Sequence, residues 1–339
     1  MIESKDITVI VQGKIDQRIT PLSLLSIRKN LQHAQIILST WENSNTANLS
    51  YDILVLNKDP GAKIHDYVFN VKNNVNRQLI STQEGLKKVN RKYSLKIRSD
   101  LILLNNNFLQ FWDRFSNINE KYKLFTHRVL TSSIYARELS SETGRPLPFH
   151  PSDFWFFGLT QDIKHYFLYT DPMIDSDISH YHLKYPNEIP YHNLSWRYTP
   201  EQYYCISYVK RILKDIKFDD WTDFNEKNIK MSSQILYNNF IFLDLKKSGI
   251  YSEKHSWAMN NEFCINGLIT YDLFQQRYKD ICDNNYIIVL SYTNYFIKFK
   301  KIQQKIIINM KRIIKLISQF LFFIWYSPKF IINKLKIKI

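Results

Sequence analysis

Glycine is scarce in this chain. Only seven occur in 339 residues: Gly13, Gly61, Gly85, Gly144, Gly158, Gly249 and Gly267. None falls into G-x-G-x-x-G or G-x-x-x-x-G-K-[ST]. The backbone cradles that grip phosphate in dinucleotide enzymes and P-loop ATPases depend on glycines at those spacings, so their absence argues against both classes. Cysteine is scarcer still. Cys205, Cys264 and Cys282 are far apart and form no C-x-x-C pair, which argues against a disulfide scaffold or zinc knuckle and for a reducing compartment. The opening MIESKDITVIVQG lacks a basic stretch followed by an apolar run, so no signal peptide is expected and the protein is expected to stay in the cytoplasm. No G-x-S-x-G or Cys–His nucleophile arrangement stands out, and there is no internal repeat.

Acidic residues are missing from one end. After Asp283 there is no Asp or Glu, while eleven Lys and Arg follow, leaving 35 basic against 31 acidic residues in 1–283. The net charge of +15 therefore belongs to a tail, and the body carries only +4. In that tail, residues 298–339, Ile302, Ile306, Ile313, Ile317 and Phe320 keep roughly helical spacing. Its longest uncharged run, Leu316–Tyr326, has 11 residues, short of the roughly 20 that a membrane span requires. A basic amphipathic helix lying on an anionic membrane surface fits better, with Phe320, Phe322, Phe323, Trp325 and Tyr326 at headgroup depth. A helix docked on the body and a nucleic-acid tail are the competing readings. The body offers no stacking platform interleaved with a basic groove, so nucleic acid is the weaker of the two.

What is present reads as alternating strands and helices. Ile7–Gln12 is a continuous apolar run of the kind found in a buried parallel strand. Helical spacing follows in Pro21–Leu31. Strands are expected at Gln35–Thr40 and Asp52–Leu56, the latter closed by a turn at Asn57–Gly61. A helix around Asn76–Val89 and a strand at Tyr93–Ile97 come next. Such alternation predicts an α/β fold with a mainly parallel sheet flanked by helices, whose ligands sit at the carboxyl ends of the strands. Residues 105–150 read as helix and loop, and 160–200 as loop. A helix is expected over Glu201–Lys214, capped by Thr199 with Pro200 at its first position. Residues 215–297 show no clear pattern.

One stretch concentrates chemistry. Asn74–Leu103 combines a helix carrying Asn76-Arg77-Gln78 in its first turns with a strand ending on Arg98-Ser99-Asp100. Polar donors at a helix start suit an anion, and a carboxylate just past a buried strand suits a metal or a sugar hydroxyl. Arg77 and Arg98 are candidate diphosphate contacts. Phe149–Gly158 (FHPSDFWFFG) sets one acid, Asp153, among five Phe and Trp rings, a combination suited to sugar faces and hydroxyls. His150, Ser152, Asp153 and Trp155 are therefore candidate sugar or acceptor contacts, with core packing of the rings as the alternative. A literal D-x-D at Asp175-Ser176-Asp177 follows no convincing strand and reads as a decoy. His180 and His182 would share one face of a strand, without a third metal ligand.

The segments ITVIVQG, Ser26–Glu42, Tyr51–Gly61, Asn74–Lys87, Tyr93–Leu103 and FHPSDFWFFG occur in an order that resembles the WavE-type lipopolysaccharide-synthesis proteins, across about residues 5–215. The order also resembles the wider GT-A nucleotide-sugar fold. These resemblances imply a GT-A-like domain over 1–297, with a nucleotide-binding half at 1–104 and an acceptor half at 105–297. They imply a glycosyltransferase, of inverting stereochemistry, acting on a lipid-linked saccharide in lipopolysaccharide, O-antigen or capsule synthesis at the cytoplasmic face of the inner membrane. They place donor nucleotide contacts, UDP being the expected nucleotide, at Gln12, Thr40, Trp41, Glu42 and Asp59 and in the Asn76-Arg77 and Arg98-Ser99-Asp100 segments. They assign the catalytic base to Glu201, with Asp153 second. Where the fold keeps D-x-D, this chain has Arg98-Ser99-Asp100. A Mn²⁺ or Mg²⁺ on Asp100 alone and a metal-independent site using the charge of Arg98 are both open. A nucleotidyltransferase of similar sheet order and a non-catalytic membrane-surface or nucleic-acid-associated protein are the alternatives.

Overall fold

The computed structural model describes residues 2–67, 70–141, 144–184, 195–259, 267–289 and Met310. The chain divides into two units, residues 1–290 and 291–339. The helix expected over 298–339 lies, Met310 apart, outside the described residues, as does Cys264.

The first unit is built on a seven-stranded sheet. The run ITVIVQ forms β1 (Ile7–Gln12), every residue of which is buried, because a strand covered on both faces needs no polar alternation. It sits between β2 (Gln35–Trp41) and β6 (Tyr93–Arg98), parallel to both. Beyond β2 lies β3 (Ile53–Asn57), also parallel. On the other side β6 pairs antiparallel with β9 (Trp155–Leu159), and β9 pairs antiparallel with β8 (Val129–Ser132). The edge strand β10 (Phe240–Leu243) runs parallel to β8. The order is β10-β8-β9-β6-β1-β2-β3. Six strands therefore point one way and β9 alone points back, so β9 begins at the edge where its six companions end.

Helices cover both faces. α2 (Val75–Lys87) packs on β1 and β2, and Gly85 makes this approach possible: a Cβ there would lie 2.4 Å from Ile10 Cγ2. α1 (Ile19–Asn30) packs against β7 (Leu101–Leu103), itself paired with β11 (Ile250–Ser252). α3 (Thr160–Phe167), α6 (Glu226–Asn239) and α8 (Tyr271–Ile281) complete the layers. α5 (Pro200–Ile212) starts on a capping box in which the Thr199 hydroxyl accepts from the Gln202 backbone and the Gln202 side chain accepts from the Thr199 backbone. The short α4 (Asp175–Ile178), α7 (Leu245–Ser248) and the hairpin of β4 (Lys63–Asp66) and β5 (Val71–Asn73) lie at the periphery. One aromatic-rich apolar cluster runs through the whole sheet.

The structure corrects several local expectations. Residues 105–150 contain β8, and the stretch read as loop after 160 opens with α3. His180 and His182 lie in the turn that follows α4, so no strand presents them on one face. The Asp175 and Asp177 carboxylates pair with Lys63 and Arg197. Among the described residues no helix is long and apolar enough to cross a membrane.

Candidate active site

Because six strands end together, their last residues meet along one edge of the sheet. β1 contributes Gln12, β2 Thr40 and Trp41, β3 Asn57, and β6 Arg98 with Ser99 and Asp100 after it. β9 starts at this edge and delivers His150, Ser152 and Asp153. β8 leads into Tyr135 and Arg137. α5 begins here with Glu201.

The β6 end is a closed ion pair. Arg98 Nε and Nη2 donate to the two oxygens of Asp100 at 2.9 and 2.5 Å, and the guanidinium lies over the Phe154 ring, 4.9 Å from its centre. Arg98 Nη1 makes no hydrogen bond among the described residues. Asp100 alone is a poor metal site: its oxygens already accept from an arginine, and among the described residues no group of three His, Cys, Asp or Glu side chains is placed to hold an ion.

Toward β3 the arrangement repeats. Arg77 Nε and Nη2 donate to Asp59 at 2.7 and 2.6 Å, and Nη1 to Asn74 Oδ1 at 3.0 Å. Thr40 shares a hydrogen bond with Ser44, and Asn57 Nδ2 donates to Ser39 Oγ and Thr40 O. Trp41 is buried and Glu42 exposed. Gln12 is buried under α2, its side-chain oxygen accepting from Ser81 at 2.6 Å. Asn76 is also buried, with both ends of its amide held by the Met173 backbone at 2.9 and 2.8 Å. Ser99 Oγ donates to Lys14 O.

Across the sheet, buried charges converge. The loop before β9 is pinned at three carbonyls: Gln202 Nε2 donates to Pro148 O at 2.7 Å, Arg137 N to His150 O at 2.9 Å, and Lys96 Nζ and Gln78 Nε2 to Asp153 O at 2.5 and 2.8 Å. This fixes His150 and Asp153 beside Glu201. Glu201 Oε2 lies 3.7 Å from His150 Nε2. Burial, and then the charge of Asp153, push the Glu201 carboxyl up to about 8, so at neutral pH it is mostly protonated. Burial and the charge of Arg137 pull His150 down to about 3; it is a neutral imidazole, not a partner ion. Burial raises the Tyr135 phenol as well, with Glu201 and Asp153 adding to it. Ser152 accepts from the Phe154 backbone, and Trp155 is fully buried against Phe108, in the core rather than lining the edge.

Two charged residues here escaped sequence reading. Lys96 is fully buried in the centre of β6, and burial pulls its ammonium down to about 7. A lysine inside an otherwise apolar strand was a signal available in YSLKIR. Arg137 belongs to no motif. It is placed by the exit from β8, where Ala136 and Glu138 bond to the backbone of Ile269 and Gly267. Tyr135 and Phe149 adopt left-handed conformations, φ 60° and 57°, unusual for aromatic residues and typical of segments held by their surroundings at a site.

A groove of about 570 Å³ lined by Phe115, Asn117, His127, Arg128 and Cys282 lies at the opposite, amino end of β8. Arg128 there already donates to the carbonyls of Phe115, Asn117 and Tyr237.

The family model described as WavE lipopolysaccharide synthesis matches residues 7–316, well past the segments quoted above and into the basic tail. No curated protein matches the chain.

Proposed function

This chain belongs to the WavE lipopolysaccharide synthesis family, and from that premise we propose that it is a GT-A-type glycosyltransferase moving a sugar from a nucleoside diphosphate to a lipid-linked saccharide in lipopolysaccharide, O-antigen or capsule synthesis. The observation that carries the reading is the pair of Asp153, buried, and Glu201, largely shielded, set beside Arg98 and Asp100 along the carboxyl edge of a mostly parallel sheet. Open α/β sheets bind nucleotides at that edge. A carboxylate pair in differing environments suits proton transfer, and an arginine suits diphosphate.

In this mechanism the nucleotide lies over the ends of β1, β2 and β3, near Thr40, Trp41, Glu42 and Asp59. Arg98 turns Nη1 to the diphosphate while Asp100 holds its other two nitrogens, and Arg77 adds charge at the start of α2. Glu201 takes the proton from the acceptor hydroxyl, its raised affinity making it a stronger base than a solvated glutamate. The oxygen attacks the anomeric carbon from the face opposite the diphosphate, and the configuration inverts. Charge grows on the leaving group as the bond breaks, and Arg98 stabilises it. In this reading the charge of Arg98 does the work that a metal would do on Asp100.

Ligand-detected NMR on the full chain with a panel of nucleotide sugars tests this. One donor, expected to carry UDP, should bind, and Arg98→Gln should weaken it about tenfold or more. With acceptor present, nucleoside diphosphate should be released, with EDTA making no difference. Release of pyrophosphate from a nucleoside triphosphate would mark nucleotidyl transfer instead. Binding of no nucleotide would sink the reading.

A further inference from the structure

Arginines in this fold are nearly all answered. Arg18, Arg28, Arg77, Arg98, Arg197 and Arg277 each pair with a carboxylate. Arg137 is different. Its side chain makes no hydrogen bond or ion pair among the described residues, and Nη1 is buried with no partner. Its backbone is not loose: the amide donates to His150 O at 2.9 Å, and Gly267, at φ +86°, lets the neighbouring segment approach so closely that a Cβ there would stand 2.2 Å from Leu139 O.

A second poorly answered group lies beside it. His150 is 4% exposed and its Nδ1 is buried without a well-formed hydrogen bond, with only the Tyr135 backbone and its own within reach of the ring. Arg137 as a whole is half-buried, but leaving a buried donor such as its Nη1 unsatisfied is unfavourable by about 1–3 kcal/mol, so a site that keeps two such nitrogens together is arranged for something that arrives. Glu201 and Asp153 share the cluster, yet neither comes within ion-pairing distance of Arg137. The amide bond of Arg137 to His150, together with the bearing of its charge on His150 and Glu201, puts it on the side of the base. In the transferase reading on which this inference rests, that is where the acceptor hydroxyl approaches.

We propose that Arg137 and His150 form an oxyanion subsite, and that the acceptor is an acidic saccharide whose carboxylate or phosphate is bound there next to the reacting hydroxyl. A guanidinium fork matches either group with two parallel hydrogen bonds, and the neutral imidazole adds a third donor when its proton sits on Nδ1. The anion also answers the two buried nitrogens, Arg137 Nη1 and His150 Nδ1. Specificity follows from the penalty of leaving them unanswered: a neutral saccharide fills the space without answering them.

The test uses pairs of saccharides that differ only in the acid. Methyl glucuronoside is set against methyl glucoside, and galactose 6-phosphate against galactose, with binding to the full chain followed by saturation-transfer NMR alongside UDP as donor probe. At least one acidic member should bind about tenfold or more tighter than its neutral twin, and which pair does so separates carboxylate from phosphate. Arg137→Gln should abolish the preference while leaving UDP binding unchanged, and Arg137→Lys, keeping charge without the fork, should retain part of it. Equal binding of the twins, binding of none of them, or a preference that survives Arg137→Gln would overturn the subsite. Loss of UDP binding in Arg137→Gln would overturn it too, because Arg137 would then contact the donor. Failure of wild-type protein to bind UDP or any other nucleotide counts against the transferase reading separately.

Discussion

Glu201 lies at the first turn of α5, largely shielded beside Asp153, and in the proposed mechanism its proton sets the pH dependence. If it is the base, kcat/KM must rise with pH, about tenfold per unit, until it levels near 8 where the carboxyl ionises. Glu201→Gln is expected to lower kcat/KM about 10²–10⁴-fold and to flatten that rise. A profile that instead falls above pH 8 would give the base role to Asp153, with Glu201 needed in its protonated form. Lys96 titrates in the reverse sense. Its folded value near 7 lies below the ordinary lysine value, so between pH 7 and about 10.5 the unfolded chain holds the extra proton and stability rises with pH. Lys96→Met should remove that slope and, by ending the burial of an ammonium, stabilise the fold by about 1–3 kcal/mol at pH 6, measured by urea denaturation across pH. Transfer should nonetheless drop, because Asp153 O would keep only Gln78 as a donor. Of these residues, Asp100, Asp153 and Glu201 were legible in the sequence because each sits at a strand end or helix start inside a recognisable segment. Arg137 was not, since its position depends on pairing with residues 267–269, far away in the chain.

At the level of elements, legibility followed length and pattern. β1, β2, β3, β6, α2 and α5 announce themselves by long apolar runs, helical spacing or a cap. β8 and β10 have four residues each, VLTS and FIFL, too few to separate a buried strand from a buried helical turn. β9 hides within an aromatic cluster that reads equally well as a sugar platform, and its Trp155 proves to be core. The segment around Gly267 illustrates how an element with no chemistry of its own sets the site. Gly267→Ala places a methyl against Leu139 O and forces a left-handed conformation on alanine. It is expected to lower stability by about 1–3 kcal/mol, seen as a falling thermal midpoint, and to weaken acidic-saccharide binding more than nucleotide binding.

Across the whole molecule, the division of charge is the feature that sequence states most openly: a nearly neutral body and a tail with eleven cations and no acid. The reading of the tail as a membrane-surface segment predicts that the full chain sediments with vesicles containing phosphatidylglycerol. Neutralising Lys311, Arg312 and Lys315 to Gln should reduce partitioning roughly a hundredfold, at about 1 kcal/mol per charge, and moderate salt should do the same. Unchanged sedimentation of the triple variant would return the tail to the docked reading. The reversed strand β9 has a consequence of another kind, in the order of assembly. β8 and β10 reach the rest of the sheet only through it. β1, β2, β3 and β6 can pair as soon as they leave the ribosome, but β6 then shows a naked edge until the much later segment 155–159 arrives to cover it. Such an edge templates intermolecular pairing, and contacts between distant segments form slowly. A chain stalled before β9 docks is thus a half-sheet with a naked edge and prone to aggregate, which makes the closing of that edge the step on which a productive yield of this protein turns.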